Sequence, residues 1–300
     1  MITASHFPTS PLALRFAGPD RQAKVRAFAS KQAVAATTAA ARIADLWAQA
    51  DTPQRRVTAL HQVHAELIDW RYHLALAAVG RLGQGIAYDP QRFRTPITEG
   101  STNFDRLGAV GRFRDGSQWD EATRTYTGGV PTPAYEAMAR YGRAARARFA
   151  AEAPDRHELQ NWVILPDGTR LAGNRIVRGT AARAVAEQLA ARVAARGLDA
   201  SRMETGGDPI YTVTPDPEHG TVLHRWALTL LAGPDPTIQD YLLARYLMFQ
   251  APQTKKGSDA VTRTFAVAVG AVLFDDQTPA LPEDIDLRCY VLGQKAACHP

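Results

Sequence analysis

The sequence predicts a mainly α-helical fold with small antiparallel β-hairpins. Three observations carry that class. Apolar residues recur at spacings of three and four through most long segments. Proline occupies the favoured first helical turn in Thr52-Pro53, Thr132-Pro133 and Asp235-Pro236. Short runs rich in β-branched and aromatic residues flank Pro/Asp/Gly turns near 166–168 and 215–220. One integrated domain, 1–300, is expected, with a helical hairpin over 1–82, a long ordered excursion over 83–131, and a helical core with hairpins over 132–300.

Asp20 caps a first helix expected to run through Ala50, a stretch nearly free of Gly and Pro. Thr52-Pro53 restarts a second, with Leu60, Val63, Leu67, Trp70 and Leu74 as its apolar stripe and Gly80 or Gly83 as its stop. The two form an antiparallel hairpin. From Gly83 to Pro131 the periodicity vanishes, yet Tyr88, Phe93, Phe104, Phe113, Trp119 and Tyr126 fall there. Loops beyond about 15 residues are uncommon in compact domains, and so many aromatics argue against disorder. This excursion is therefore expected to close over the C-terminal core. A third helix starts at Thr132-Pro133 and runs to about Ala151, exposing Arg140, Arg143, Arg146 and Arg148. Asn161–Leu165 and Arg170–Ala172 make a short hairpin. Thr180 caps a fourth helix that ends at Gly197. Ile210–Thr214 and Thr221–Leu231 read as two strands, the second with Val222, His224, Trp226, Leu228 and Leu230 on one face. A fifth helix spans Thr237–Gln250 and a sixth Ala260–Phe274; Pro279–Gln294 is short helix or strand.

Composition limits the function classes. Hydrophobic residues make up 45% and charged residues 22%, which excludes a disordered or collagen-like chain. Cys289 and Cys298 form no CxxC pair and no disulfide framework, so a reducing cytoplasm is expected. No basic start followed by an apolar core marks a signal peptide in Met1–Pro19. No apolar run reaches the roughly 18 residues of a membrane span. Alanine and arginine are heavily used and lysine is scarce, which suits a GC-rich bacterial genome. The net charge of +5 favours anionic partners weakly.

The most specific chemistry lies in Gln253-Thr254-Lys255-Lys256-Gly257-Ser258-Asp259, between two apolar helices. Ser258 and Asp259 are good caps for the sixth helix. Its first N–H groups carry a partial positive charge. Gly257 lets the backbone come close, Lys255 and Lys256 add full charges, and Arg263 projects from the first turn. A phosphate or carboxylate fits such a place; so does an ordinary capped helix after a polar loop.

Tyr241-Leu242-Leu243-Ala244-Arg245-Tyr246-Leu247-Met248-Phe249, a glycine-bearing loop and an apolar helix with an early arginine resemble the core of the Fic/Fido family. The resemblance covers roughly the last 90 residues. That family's loop carries His-Pro-Phe, an acidic residue, Gly-Asn-Gly-Arg, and a second arginine six residues after the first glycine. Gly257 and Arg263 keep that separation, and Ala251-Pro252-Gln253 stands near the place of His-Pro-Phe. The strands before the fifth helix stand where the family carries its substrate-positioning flap. The resemblance implies a helical core and a nucleotide or phosphate cradle. It also shows departures: Ala251 or Pro252 replaces the catalytic histidine, Lys256 the magnesium-holding acid, and Ala260 the first arginine. AMP transfer by the family's usual base and metal is thus not implied, and no metal is expected.

Other constellations leave alternatives open. His61, His64 and His73 with Glu66 and Asp69 suggest metal ligands, but helical geometry spreads them around a solvated face. His224, on the apolar face of its expected strand, is either a satisfied core histidine or a general base aimed at the loop. Glu283, Asp284 and Asp286 are either paired carboxylates for acid–base work or a capped turn with a local ion pair to Arg288. Arg92, Arg94, Arg106, Arg112, Arg114 and Arg124 interleave with the excursion's aromatics, as in a single-strand nucleic-acid groove, an anionic pocket or a packed loop. The expected function is a cytoplasmic bacterial transferase-type enzyme that binds an anionic, phosphate-bearing metabolite or nucleotide. Lys255, Lys256, Gly257, Ser258 and Arg263 would hold it, with His224 or Asp259 as proton acceptor. The alternative is a degenerate Fic-like module that recognises a protein or nucleic acid without chemistry; the small molecule is preferred to nucleic acid.

Overall fold

Residues 1–78, 89–98, 100 and 102–298 are described by the computed structural model. Gly80, Gly83 and Tyr88 lie outside them. The first expected helix is two, α1 (Pro19–Arg26) and α2 (Phe28–Ala48), which meet at Ala27. Helix α1 buries no side chain. Helix α2 buries Ala33, Ala35, Ala36, Ala39 and Ile43, small residues that allow close approach. Helix α3 (Pro53–Leu76) starts as expected, with Thr52 Oγ1 accepting from the Arg55 N–H at 3.3 Å. Its buried stripe runs through Leu60, Val63, His64, Leu67, Tyr72 and Ala75.

The chain is mainly helical with small antiparallel sheets. The excursion supplies β1 (Phe104–Leu107) and two short ribbons: β2 (Arg114–Asp115) with β5 (Val130–Pro131), and β3 (Gln118–Asp120) with β4 (Thr125–Thr127). Helix α4 (Pro133–Glu152) follows, N-capped by Thr132. The expected short hairpin is longer, β6 (Glu158–Ile164) with β7 (Arg170–Arg178), and leads into α5 (Gly179–Ala194). Strand β8 (Ile210–Val213) pairs with β1 and β7, giving a four-stranded antiparallel sheet in the order β1-β8-β7-β6. Strand alternation splits its faces. Ile176 and Ile210 pack with α4, while Val177, Tyr211 and Val213 pack with α5.

The expected strand Thr221–Leu231 is instead helix α6 (Pro217–Leu231). Pro217 and Glu218 begin it in helical fashion, and the buried set Leu223, His224, Ala227, Leu228 and Leu231 has a period near 3.6. Alternation would have buried Val222, which is 36% exposed. The strand pair expected in the flap position is therefore absent. Thr237 and Asp240 form a capping box for α7 (Ile238–Gln250). Helix α8 (Ser258–Phe274) is buried from Val261 to Gly270 against α2, α3 and α7. The tail forms α9 (Ile285–Val291) and α10 (Gln294–Cys298). No helix among the described residues is long and apolar enough to cross a membrane.

Candidate functional site

The loop between α7 and α8 is tightly built. Ser258 Oγ takes the Thr254 N–H at 3.1 Å and donates to the Thr254 carbonyl at 3.1 Å; Thr254 Oγ1 donates to the Lys256 carbonyl at 2.9 Å. Gly257 has φ +81°, and a Cβ there would stand 2.6 Å from Phe93 Cδ1 and 3.0 Å from Arg71 Cγ. Both the backbone conformation and the close approach demand glycine. The excursion docks on this loop through a single antiparallel β-bridge, Pro96 with Thr254, and the backbone bonds around it. Ile97 N donates to Gln253 O (3.3 Å), Lys255 N to Thr95 O (3.0 Å) and Lys256 N to Arg92 O (3.0 Å). The first intrahelical bond of α8 runs from Val261 N to Gly257 O, which leaves the N–H groups of Ser258, Asp259 and Ala260 at its open end.

This open end faces a cleft of about 870 Å³, within the size range of small-molecule sites. Six cationic side chains line it: Arg15, Arg92, Arg192, Arg196, Lys255 and Lys256. They come from the N-terminal turns, the excursion, the end of α5 and the loop before α8. Among the described residues, no carboxylate lies within ion-pair distance of Arg15, Arg92, Arg192 or Arg196. Arg192 is aimed by the carbonyls of Thr102 (2.6 Å) and Gly100 (2.9 Å) and lies over the Phe104 ring at 4.6 Å. Burial, then Arg192 and Arg92, bring the Lys255 ammonium down to about 8. Lys256 is lowered by burial and by Arg92, Arg15, Arg71 and Arg196. Like charge is concentrated here.

Asp105, Asp259, Asp286 and Tyr290 also line the cleft. The Asp105 side chain is open to water in the cleft, yet protein surrounds it; that enclosure raises its pKa despite Arg15 and Arg112. Enclosure, then Asp259, pushes Asp286 up to about 7, against the pull of Arg263.

The expected site residues divide three ways. Lys255, Lys256, Gly257 and Ser258 line the cleft, as does Asp259. Arg263 does not line it. It is 3% exposed, and its guanidinium reaches Asp259 Oδ1 (2.7 Å), Asp286 Oδ1 (3.2 Å) and the carbonyls of Pro282 and Glu283. Burial works against its charge, but the two carboxylates outweigh it and hold its pKa above the ordinary value. The helix repeat explains the correction: Asp259 lies four residues before Arg263 and meets it on the same face. His224 is also misplaced by the strand reading. On α6 its ring packs 4.8 Å from His64 and 6.2 Å from His61, behind the loop and outside the cleft. Burial, then His61, lowers His224 to about 4; burial, then His224 and His61, lowers His64 well below its usual range. The void beside them has no room for a water molecule.

His73 lies on the solvated face of α3 as expected, while His64 turns into the core. Asp284 has the local-pair role, with Arg288 at 2.8 Å, Arg140 at 2.7 Å and the Tyr141 hydroxyl at 2.8 Å. Its neighbour Asp286 diverges into the cleft. Of the excursion's six arginines only Arg92 lines it; Arg106 is buried on Glu204, and Arg94 covers Tyr72. Arg15, Arg192, Arg196 and Asp105 escaped the sequence reading. The four-residue spacing of Arg192 and Arg196 was a usable signal; Arg15 had none, because only tertiary structure brings it in. No cluster of three metal-ligating side chains forms among the described residues. Compared with protein-family models and with curated proteins, the chain matches none.

Proposed function

We propose that the cleft binds an anionic, phosphate-bearing metabolite or nucleotide, and that the protein is a transferase-type enzyme of the bacterial cytoplasm. The observation that carries this is the convergence of six cations, four of them without an ion pair among the described residues, on the open end of α8. Lys255 and Lys256, lowered by burial and by the arginines beside them, gain most from a ligand of high negative charge. Arginine forks suit phosphate oxygens, and the free N–H groups of α8 add neutral donors. Lys255 and Lys256 hold the phosphates with Arg92, Arg192 and Arg196, while Arg263, outside the cleft, holds Asp259 and Asp286 in place. Asp259 takes the proton-acceptor role that His224 is too distant to fill. The two buried thiols, Cys289 and Cys298, fit a reducing compartment.

Titration with inorganic pyrophosphate tests the reading. At about 100 times the dissociation constant, binding adds about 2.7 kcal/mol of stability. Arg196→Ala and Lys255→Ala should each weaken binding about tenfold, the loss of one charge-assisted contact. Binding should persist in a chelator. No thermal shift with pyrophosphate or nucleoside triphosphates would sink the proposal. The second reading, a non-catalytic module that recognises a protein or nucleic acid, draws support from Ala251 and Pro252 in the loop and from the seclusion of His224. Transfer of label from a phosphate donor to an acceptor decides between them.

A further inference from the structure

Three histidine rings meet behind the loop. His64 on α3 and His224 on α6 are buried, with ring centres 4.8 Å apart and planes tilted by 60°. His61 is exposed, 6.2 Å from His224, and Phe265 of α8 meets His64 edge-on at 5.3 Å. His224 Nδ1 is buried and has no hydrogen-bond partner among the described residues. A polar atom orphaned at that depth costs free energy and calls for an explanation. With the ring proton on Nε2, Nδ1 presents a bare lone pair. The void beside the rings is walled by His64, His224 and Met248, with Ile68 and Val261. It is too narrow for water, which stays about 2.7 Å or more from a polar partner. A metal ion sits closer, about 2.0–2.3 Å from nitrogen or sulfur.

We infer that His64, His224 and Met248 form a binding site for a soft monovalent metal ion of the copper(I) class. Thioether sulfur and imidazole are donors that such an ion accepts. No third imidazole, thiolate or carboxylate joins them among the described residues, so the donor sets of zinc and magnesium are not met. Charge agrees. The ionisable groups that act on His64 are His224 and His61, and the one that acts on His224 is His61. No carboxylate there offsets a divalent ion. Burial keeps both imidazoles neutral in the metal-free chain, the form that a metal needs. The site draws on α3, α6 and α7, and Ser258 lines both this void and the cleft. A bound ion would brace the loop from behind, whatever the cleft binds.

Copper(I), presented anaerobically to the full chain from a chromogenic chelator, tests this. One equivalent should transfer, raise the thermal midpoint and shift the imidazole nitrogen resonances of His64 and His224. Silver(I) should do the same, and zinc(II) should not compete. Met248→Leu, which nearly conserves volume, and His224→Gln should each weaken copper(I) binding at least about tenfold. Near-ultraviolet circular dichroism of the metal-free variants checks their packing, and Met248→Leu is the safer of the two. Cys289 and Cys298 are the competing soft ligands. Binding that survives Met248→Leu but is lost in Cys298→Ala places the ion on the thiols and overturns the site. Failure of copper(I) to transfer, or the same affinity in folded Met248→Leu as in the unmodified chain, overturns it as well.

Discussion

Two regions of the molecule are dense in polar side chains and are built on opposite terms. Between β6, β7, α4, α7 and α9, Arg148 donates to Asn161 Oδ1 (2.6 Å) and the Val291 carbonyl (2.7 Å). Asn161 donates to Asn174 Oδ1 and the Tyr290 carbonyl, each at 2.8 Å. Gln250 accepts the Asn174 N–H and donates to the Cys289 carbonyl. The donors and acceptors interlock, as burial requires. In the cleft, Arg15, Arg92, Arg192 and Arg196 have no ion pair among the described residues. The contrast separates arginine as a joint from arginine as a receptor, and Arg263 falls with the joints although its sequence position suggested a receptor. The following tests press on that division, beginning with the largest effect.

Arg263→Ala should cost about 3 kcal/mol in denaturant unfolding, because it strands the buried Asp286 carboxylate and takes the partner from the part-exposed Asp259. A fully stable variant that has lost anion binding would move Arg263 back to the receptors. The buried imidazoles come next. The unfolded chain protonates His224 below about pH 6.5, whereas the folded chain resists until about pH 4. Stability is therefore complete above pH 6.5 and falls by about 3 kcal/mol on acidification towards pH 4 from this ring alone. His64 adds in the same direction. Unfolding free energies between pH 7.5 and 4.5 should show the slope, and His224→Leu should flatten it; an unchanged slope contradicts the buried pair. Gln250→Leu should cost about 2 kcal/mol, since it orphans the Asn174 N–H and the Cys289 carbonyl. Arg196→Ala should change stability by less than about 0.5 kcal/mol while weakening pyrophosphate binding. That binding should also weaken as pH rises through about 8, where Lys255 loses its charge.

Local chemistry in the chain was readable to the point where tertiary partners took over. Thr52 and Thr132 each cap the helix expected after them, because a cap is a contact within four residues, whereas the fifth helix, expected to open at Asp235-Pro236, is capped by Thr237 and leaves Pro236 outside its first turn. The loop Lys255–Ser258 was legible for the same reason, with glycine and lysines beside a helix start. His224 was misread because its segment satisfies both periods; burial of Leu223 and Ala227 decides between them only once α3 and α7 are in place. Arg263 was misread because its fate depends on Asp286, 23 residues away on another helix. The acidic side chains of the cleft were half legible. Asp259 stood out beside the loop, while Asp105 sat in a stretch without periodicity and enters through the pairing of β1 with β8.

The docking of residues 92–97 on 253–256 has a consequence for how the protein comes into being. The walls of the cleft run in sequence from Ser10 to Tyr290. During synthesis from the N-terminus, α2 and α3 can pair early, because they are neighbours in sequence. The cleft cannot form until α8 and α9 have left the ribosome. The nascent chain meanwhile carries Arg15, Arg92 and Arg192 with neither α9 nor the α8 open end to complete the cleft. A chain that stops before α9 keeps the basic residues of the cleft but lacks Asp286, Leu287 and Tyr290 from its wall. Such a product is not a weaker version of the finished protein but one whose cleft has no closed wall.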